Sequence, residues 1–360
     1  MKAAWYEKQG SAQEVLVVGE MPDHEPGPGE VRIRVAASGI NPGELKKRQD
    51  VYGYGMPYPR VIPHSDGAGI IDRVGDGVPV ARFGERVWCY GAQSYRPFGT
   101  AAEYVLVPSA QAVPLPNGVP FEQGACLGIP GITAHRCVNS AGLVERRVVL
   151  VQGGAGAVGV CAIQLARRAG ARVLATVRSS RDEGVASRAG AHEVVRTDGV
   201  PSDEIVRRIR TLAPDGVGHI VEVAFDANIA VDTELLMVGG SIAAYAAAEP
   251  WPWPPVPFRQ LLFKNVQVCF LGSDDFPAEA KATAAHDLNA ALVSGWPGFE
   301  IGRQFPLSAI AEAHEYLEER RGPGRVGRLR PGGPRAGSPY HPTPGPCRKP
   351  DVVGLFAWRR

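Results

Sequence analysis

The sequence predicts an α/β chain with two parts, a β-rich N-terminal domain and a doubly wound parallel sheet. Three observations carry that reading. Residues 1–122 hold short alternating runs broken by glycine turns. From residue 123, apolar runs of strand length alternate with segments of helical periodicity. Within 146–181 the order is strand, glycine turn, helix, strand.

In the first part, Val31, Ile33 and Val35 alternate with charged residues, as in a strand with one wet face. Turns at Gly27-Pro28, Gly75-Asp76 and Gly84-Glu85 separate further strands at 69–74, 86–90 and 101–107, a barrel-like pattern.

The valine-rich run 148–151 then leads into Gly154-x-Gly156-x-x-Gly159. Placed between a strand and a helix, this spacing marks a dinucleotide site. Gly154 is expected to permit the tight turn, Gly156 to admit a pyrophosphate, and Gly159 to let helix and strand pack closely. After the next strand, 172–177, the chain reads Arg178, Ser179, Ser180, Arg181 where an NAD site usually places an acid. Two guanidinium groups and two hydroxyls suit the 2′-phosphate of NADPH, because arginine meets phosphate oxygens with a planar fork of donors. Asp182 and Glu183 nearby leave a second reading, a solvated charged loop.

Alternation continues with a strand at 192–196 and a helix at 202–212, opened by Pro201-Ser202-Asp203-Glu204. Strands are expected at 219–224, 241–246 and 266–271, and helices at 229–237 and 258–264. The run 250–255, Pro-Trp-Pro-Trp-Pro-Pro, reads as a stiff loop. Helices at 278–293 and 308–319 are expected to return to the first domain. The Pro/Gly-rich stretch 331–360, with one apolar cluster at 352–358, reads as a disordered or loosely docked tail.

Bulk properties exclude several classes. A chain of 360 residues suits two domains, and a net charge of +2 argues against nucleic acid as partner. Six cysteines, Cys89, Cys126, Cys137, Cys161, Cys269 and Cys347, contain no C-x-x-C pair and read mostly as small buried hydrophobes. With no signal segment and no spanning apolar run, no membrane crossing is expected and the expected location is cytoplasmic.

Residues 1–330 resemble the zinc-independent quinone oxidoreductases, the zeta-crystallin-like branch of the medium-chain dehydrogenase/reductases. The resemblance rests on Gly39-Ile40-Asn41-Pro42, Ser65-Asp66-Gly67-Ala68-Gly69, Gly99-Thr100-Ala101-Ala102-Glu103-Tyr104, 128–134 (GIPGITA), the glycine turn, Gly190-Ala191-His192 and Ala313-His314. It implies a GroES-like catalytic domain (1–122, completed by 274–330), a Rossmann domain (123–273) and a homodimer. It also implies hydride transfer from NADPH to a quinone or activated enone. Asn41 and Thr133 would lie beside the nicotinamide; Ala155, Gly156, Ala157 and Val158 would hold the pyrophosphate. Tyr245 and Ala246, with Phe270, Leu271 and Gly272, would line the cofactor cleft.

The chain departs from that pattern at several positions. Asp182 and Thr197 stand where relatives often carry a lysine and a tyrosine or histidine in the adenosine-phosphate pocket. Lys46 replaces a tyrosine, leaving Tyr52 either to stack on substrate or simply to pack. Asn41 and Ser65 occupy the places of zinc ligands in related alcohol dehydrogenases, so no metal is expected; His64, one residue off, reads as structural. Asn41, Tyr52 and Thr133 are the candidate groups to orient the substrate carbonyl or the nicotinamide amide, with the final proton drawn from solvent. Two rival functions are an enoyl-thioester reductase and a non-catalytic NADPH-binding dimer.

Overall fold

The structure, a computed structural model, describes residues 1–249 and 254–319 and the backbone of 356–359. The N-terminal domain is built on the long strand Glu30–Ile40, paired antiparallel with Asp66–Val74 and Tyr104–Pro108. Asp66–Val74 pairs in turn with Arg86–Cys89, and that strand with Ala112–Pro114. The alternating residues Val31, Ile33 and Val35 close a core with Ile71, Val87, Val105 and Val107. Gly69 permits this closure: a Cβ there would sit 2.0 Å from the Arg34 carbonyl oxygen.

In the second domain six parallel strands lie in the order Glu193–Arg196, Arg172–Val177, Val148–Val151, Val217–Glu222, Leu236–Ala244, Gln267–Phe270. Successive residues face opposite cores. Val149 and Val151 join one apolar cluster with Val173, Ala175 and Val221, whereas Leu150 joins another with Leu174, Ile220 and Ile242. Helices therefore cover both faces, which is why these strands read as continuous apolar runs. Strand order reverses between Val148–Val151 and Val217–Glu222, and the glycine turn lies at the carboxyl end of that crevice.

Of the last two helices, Ile310–Glu318 returns to the first domain, where Ile310, Ala313 and Leu317 pack with Ala3, Ala4, Ile40 and Leu45. Ala278–Val293 bridges the domains instead. Its Leu288 shares a core with Ile132 and Ala134, while Asn289 bonds the Trp88 indole at 3.1 Å and the Pro114 carbonyl at 2.7 Å. Residues 250–253 of the Trp-Pro run and most of the expected tail lie outside the described residues. Within the tail, Phe356–Arg359 forms a strand, with Phe356 opposite Ile40 and Trp358 opposite Phe305. No described helix is long and apolar enough to cross a membrane.

Candidate active site

The glycine turn divides its labour differently from the sequence reading. Gly153, not Gly154, carries the left-handed backbone, with φ +68°. Gly154 is small because a Cβ would lie 2.7 Å from the Cβ of Ala175 on the neighbouring strand. Gly159 performs the expected packing role, since its Cβ would fall 2.4 Å from the Gly153 carbonyl oxygen. Gly156 precedes the helix Ala157–Arg168, and a Cβ there would meet nothing nearer than that same oxygen at 3.4 Å.

The turn's hydrogen bonds show which groups remain for a ligand. The N–H groups of Gly154 and Gly156 are taken by Thr176 O at 2.8 Å and Gly153 O at 2.9 Å, and that of Gly153 by Thr176 Oγ1 at 3.3 Å. Those of Ala155, Ala157 and Val158 have no acceptor among the described residues. Free N–H groups at a helix start, with the positive end of its dipole, fit a pyrophosphate.

Beneath the turn lies a buried polar layer that the sequence reading missed. Thr176 Oγ1 donates to Gln152 Oε1 at 2.5 Å, and Gln152 Nε2 donates to Asp232 Oδ1 at 2.7 Å. Asp232 meets Glu222, which also accepts from Asn228 Nδ2 at 3.0 Å. Burial first, then the Glu222 charge, raises the Asp232 carboxyl well above its ordinary range. The pair therefore favours holding a proton, and Asp232 Oδ2 is left without a hydrogen-bond partner among the described residues.

At the next strand end, Ser179 caps the helix Ser180–Ala189, its Oγ accepting from the Asp182 N–H at 3.2 Å. Asp182 and Glu183 occupy that helix's first turn, where the dipole favours them. Arg178 and Arg181 are exposed, with no carboxylate partner among the described residues. Thr197 Oγ1 donates to the Val177 carbonyl at 3.2 Å and so braces this edge. Tyr245 and Ala246 follow the strand Leu236–Ala244; Leu271 and Gly272 follow Gln267–Phe270. Phe270 ends that edge strand. It is 69% exposed on the edge strand, with its ring edge-on to Phe225.

Between the domains the structure gathers Asn41 with two carboxyls the sequence reading overlooked, Glu44 and Asp66, and the second of these also holds Ile129, four residues before Thr133. Asn41 precedes the helix Pro42–Gln49, and its backbone N–H donates to Glu44 Oε2 at 2.7 Å. Its side-chain Nδ2 donates to Asp66 Oδ2 at 2.8 Å and to Glu44 Oε1 at 3.3 Å. Glu44 Oε1 also receives the Ser65 N–H at 2.7 Å, and Asp66 Oδ2 the Ile129 N–H at 2.9 Å. The signals were present in sequence: Glu44 stands three residues after Asn41, the capping-box spacing, and Asp66 lies inside the Ser65-Asp66-Gly67 motif.

This wiring settles what Asn41 can offer. With both amide hydrogens given to carboxyls, Asn41 can offer only Oδ1, which also faces the Glu44 N–H in the capping box, so it accepts and cannot donate to a substrate carbonyl. That corrects one of the two roles expected from sequence. Thr133 Oγ1 is buried with no partner among the described residues, leaving a hydroxyl for a ligand. Burial raises both carboxyls, Glu44 to about 7 against its hydrogen bonds, and Asp66 well above the ordinary range with Glu44 adding to the effect.

Tyr52 stands apart from this cluster. Its ring stacks on Tyr54 at 5.8 Å and lies under Lys46, and it is 37% exposed. The cleft edge is clamped by Asp274, which accepts from Ser94 Oγ at 2.5 Å and Lys47 Nζ at 2.9 Å. A small cavity beside it is lined by Tyr90, Ser94, Ile129, Ile132 and Asp274.

The histidines of the first domain carry a pH dependence. Burial pushes His64 down to about 3 and His314 well below its ordinary value of 6.5. The unfolded chain thus binds more protons below pH 6.5, so their stabilising contribution is present above that pH and is lost as pH falls towards 3. Between pH 7 and pH 4, Tm is expected to fall more steeply in the wild type than in His314→Gln, which has one imidazole fewer to protonate. Parallel slopes in thermal melts contradict this.

Comparison with known proteins agrees with the architecture. Residues 27–117 match the alcohol dehydrogenase GroES-like domain and residues 157–285 the zinc-binding dehydrogenase domain. Rat quinone oxidoreductase is 34% identical over 290 residues, covering 79% of this chain and 84% of the relative. The chain belongs to the quinone oxidoreductase branch of the medium-chain dehydrogenase/reductases. It is also similar to the rat synaptic vesicle membrane protein VAT-1 homolog, at 32% identity over 84% of this chain and 77% of the relative. A mycobacterial protein solved in complex with NADPH superposes with a TM-score of 0.78 at 27% identity, covering 89% of this chain and 97% of the other.

Proposed function

We propose that this family member is an NADPH-dependent reductase that passes hydride to a quinone or activated enone without a metal. The observation that carries the proposal is the Asn41 amide, whose two hydrogens are committed to Glu44 and Asp66 so that it can act only as an acceptor at the domain junction. The likeness to rat quinone oxidoreductase and to the mycobacterial NADPH complex supports it.

When bound, the nicotinamide supplies the hydride. Asn41 Oδ1 suits the carboxamide N–H2 and would fix which ring face meets the substrate, while the free N–H groups of Ala155, Ala157 and Val158 would hold the pyrophosphate. The Thr133 hydroxyl donates to the acceptor's carbonyl oxygen as negative charge develops there. Solvent supplies the proton that completes reduction. Zinc does not fit, because the corresponding positions hold the amide of Asn41, already committed to two carboxyls, and the hydroxyl of Ser65.

For the cofactor's 2′-phosphate, the exposed Arg178 and Arg181 flank the Ser179 cap. Charge-assisted hydrogen bonds contribute about 1.5–3 kcal/mol, so Arg178→Ala with Arg181→Ala is expected to raise KM for NADPH about tenfold or more. KM for NADH should barely change. Equal effects on both cofactors would sink the phosphate-pocket assignment.

A homodimer is expected to pair through the outer edge of Gln267–Phe270, near which Phe258, Phe263 and Phe270 are more than two-thirds exposed at 71%, 73% and 69%. The proposed location is the cytoplasm. The function is tested by following NADPH oxidation with 1,2- and 1,4-quinones, enones and enoyl thioesters. Turnover with quinones or enones is expected; turnover confined to thioesters, or NADPH binding with no turnover, contradicts it.

A further inference from the structure

The mechanism leaves unused a line of side chains in the first domain. Arg48 Nε meets His314 Nδ1 at 3.3 Å, and His314 Nε2 meets His64 Nε2 at 2.9 Å. His64 Nδ1 meets Ser38 Oγ at 2.9 Å, Ser38 Oγ meets Thr100 Oγ1 at 2.7 Å, and Thr100 Oγ1 meets the Asp66 carbonyl oxygen at 2.7 Å. All six residues are buried at 0% exposure.

The two ends fix the direction of every hydrogen bond. A guanidinium can only donate, so His314 Nδ1 accepts and its proton sits on Nε2. His64 Nε2 must then accept, which places the His64 proton on Nδ1, facing Ser38. At the other end a carbonyl can only accept, so Thr100 donates to Asp66, takes its own hydrogen bond from Ser38, and Ser38 in turn takes one from His64. Both ends give the same arrangement, one hydrogen per contact with both imidazoles neutral. A charged imidazole or a flipped tautomer leaves two hydrogens, or none, at some contact.

A backbone feature points to what the line does. His64 has φ +77°, a left-handed conformation that is strained for a residue with a side chain. The chain turns there immediately before Ser65, whose N–H reaches Glu44, and Asp66, whose carboxyl holds Asn41 and the Ile129 N–H. The far end is anchored on the C-terminal helix side, where Arg48 bonds Glu318 and the Gly10 carbonyl. Among the described residues, Glu44, Glu315, Glu318 and Tyr6 are the titratable groups that act on Arg48 and its neighbours.

We propose that His64 and His314 are positioning residues of the hydride site, and that their one-way relay from Arg48 holds the turn that aims Asp66 at Asn41. The relay rests on the reading of Asn41 as the residue facing the nicotinamide. Its test separates the two. In the full-length apo protein labelled with 15N-histidine, long-range 1H–15N spectra at pH 7 should show neutral His64 protonated on Nδ1 and neutral His314 protonated on Nε2. His64→Gly removes the imidazole at a position whose backbone glycine adopts without strain, so it tests the relay even where His314→Leu does not fold. In His64→Gly and His314→Leu, NADPH Kd should stay within about twofold, because the glycine turn that would hold the phosphates belongs to the other domain, while the bound cofactor's fluorescence enhancement drops and kcat falls about tenfold. His314→Gln, which can both accept from Arg48 and donate to His64, should restore both. Opposite or charged tautomers, or a folded His64→Gly with wild-type fluorescence and kcat, overturn the proposal. Absence of turnover in the wild type overturns the proposed function instead, and leaves the tautomers and the fluorescence to judge the relay.

Discussion

Gly159→Ala is expected to weaken NADPH binding at least a hundredfold. The added Cβ would stand 2.4 Å from the Gly153 carbonyl oxygen and 3.0 Å from Gly154 Cα. Both neighbours are backbone, so no side chain can swing aside, and the helix start must move away from the strand. Overpacking of this kind costs about 1–3 kcal/mol in stability. The larger consequence is that the N–H groups of Ala157 and Val158 leave the positions from which they would meet a pyrophosphate. Gly156→Ala is the control. Its Cβ has open space beyond a single 3.4 Å contact, so Tm should hold while a pyrophosphate seated on that face is displaced. NADPH titration and thermal melts of the two variants check this; a Gly159→Ala protein that binds like the wild type contradicts it.

Asn41→Leu should produce the second large effect. Leucine fills a similar volume but supplies no hydrogens, so Asp66 and Glu44 lose side-chain donors in a fully buried site. Leaving a buried polar group without its partner costs about 1–3 kcal/mol, and more when it is charged. Stability should fall accordingly. Loss of the one oriented acceptor at the hydride site should lower kcat on the order of a hundredfold, with KM for NADPH changing much less. Stopped-flow and steady-state measurements separate these terms. A near-normal kcat removes Asn41 from the catalytic machinery.

How much of this was legible in the sequence depended on how local the cause is. The strands Val148–Val151 and Arg172–Val177 and the helix Ser202–Leu212 coincide with their sequence reading, because period, glycine and the Pro-Ser-Asp-Glu start all act within a few residues. The role swap between Gly153 and Gly154 was invisible, since spacing says nothing of which residue takes positive φ. Asp66 and Glu222 were missed because their partners are tertiary: Asn41 comes from another strand end, and Asp232 from the helix Phe225–Leu235. The strand Phe356–Arg359 escaped notice since proline and glycine around it argue against any sheet, and its pairing with Glu30–Ile40 and Phe305–Pro306 makes it one.

The most direct measurement is a single turnover of NADPH deuterated at C4, mixed with excess enzyme and a 1,4-quinone or an enone after exhaustive dialysis against a chelator. Stoichiometric oxidation, slowed by the label and indifferent to the chelator, is the expected result. Bound NADPH that is not oxidised by either acceptor, or oxidation that returns only when zinc is added back, would contradict metal-independent hydride transfer at Asn41 and Thr133.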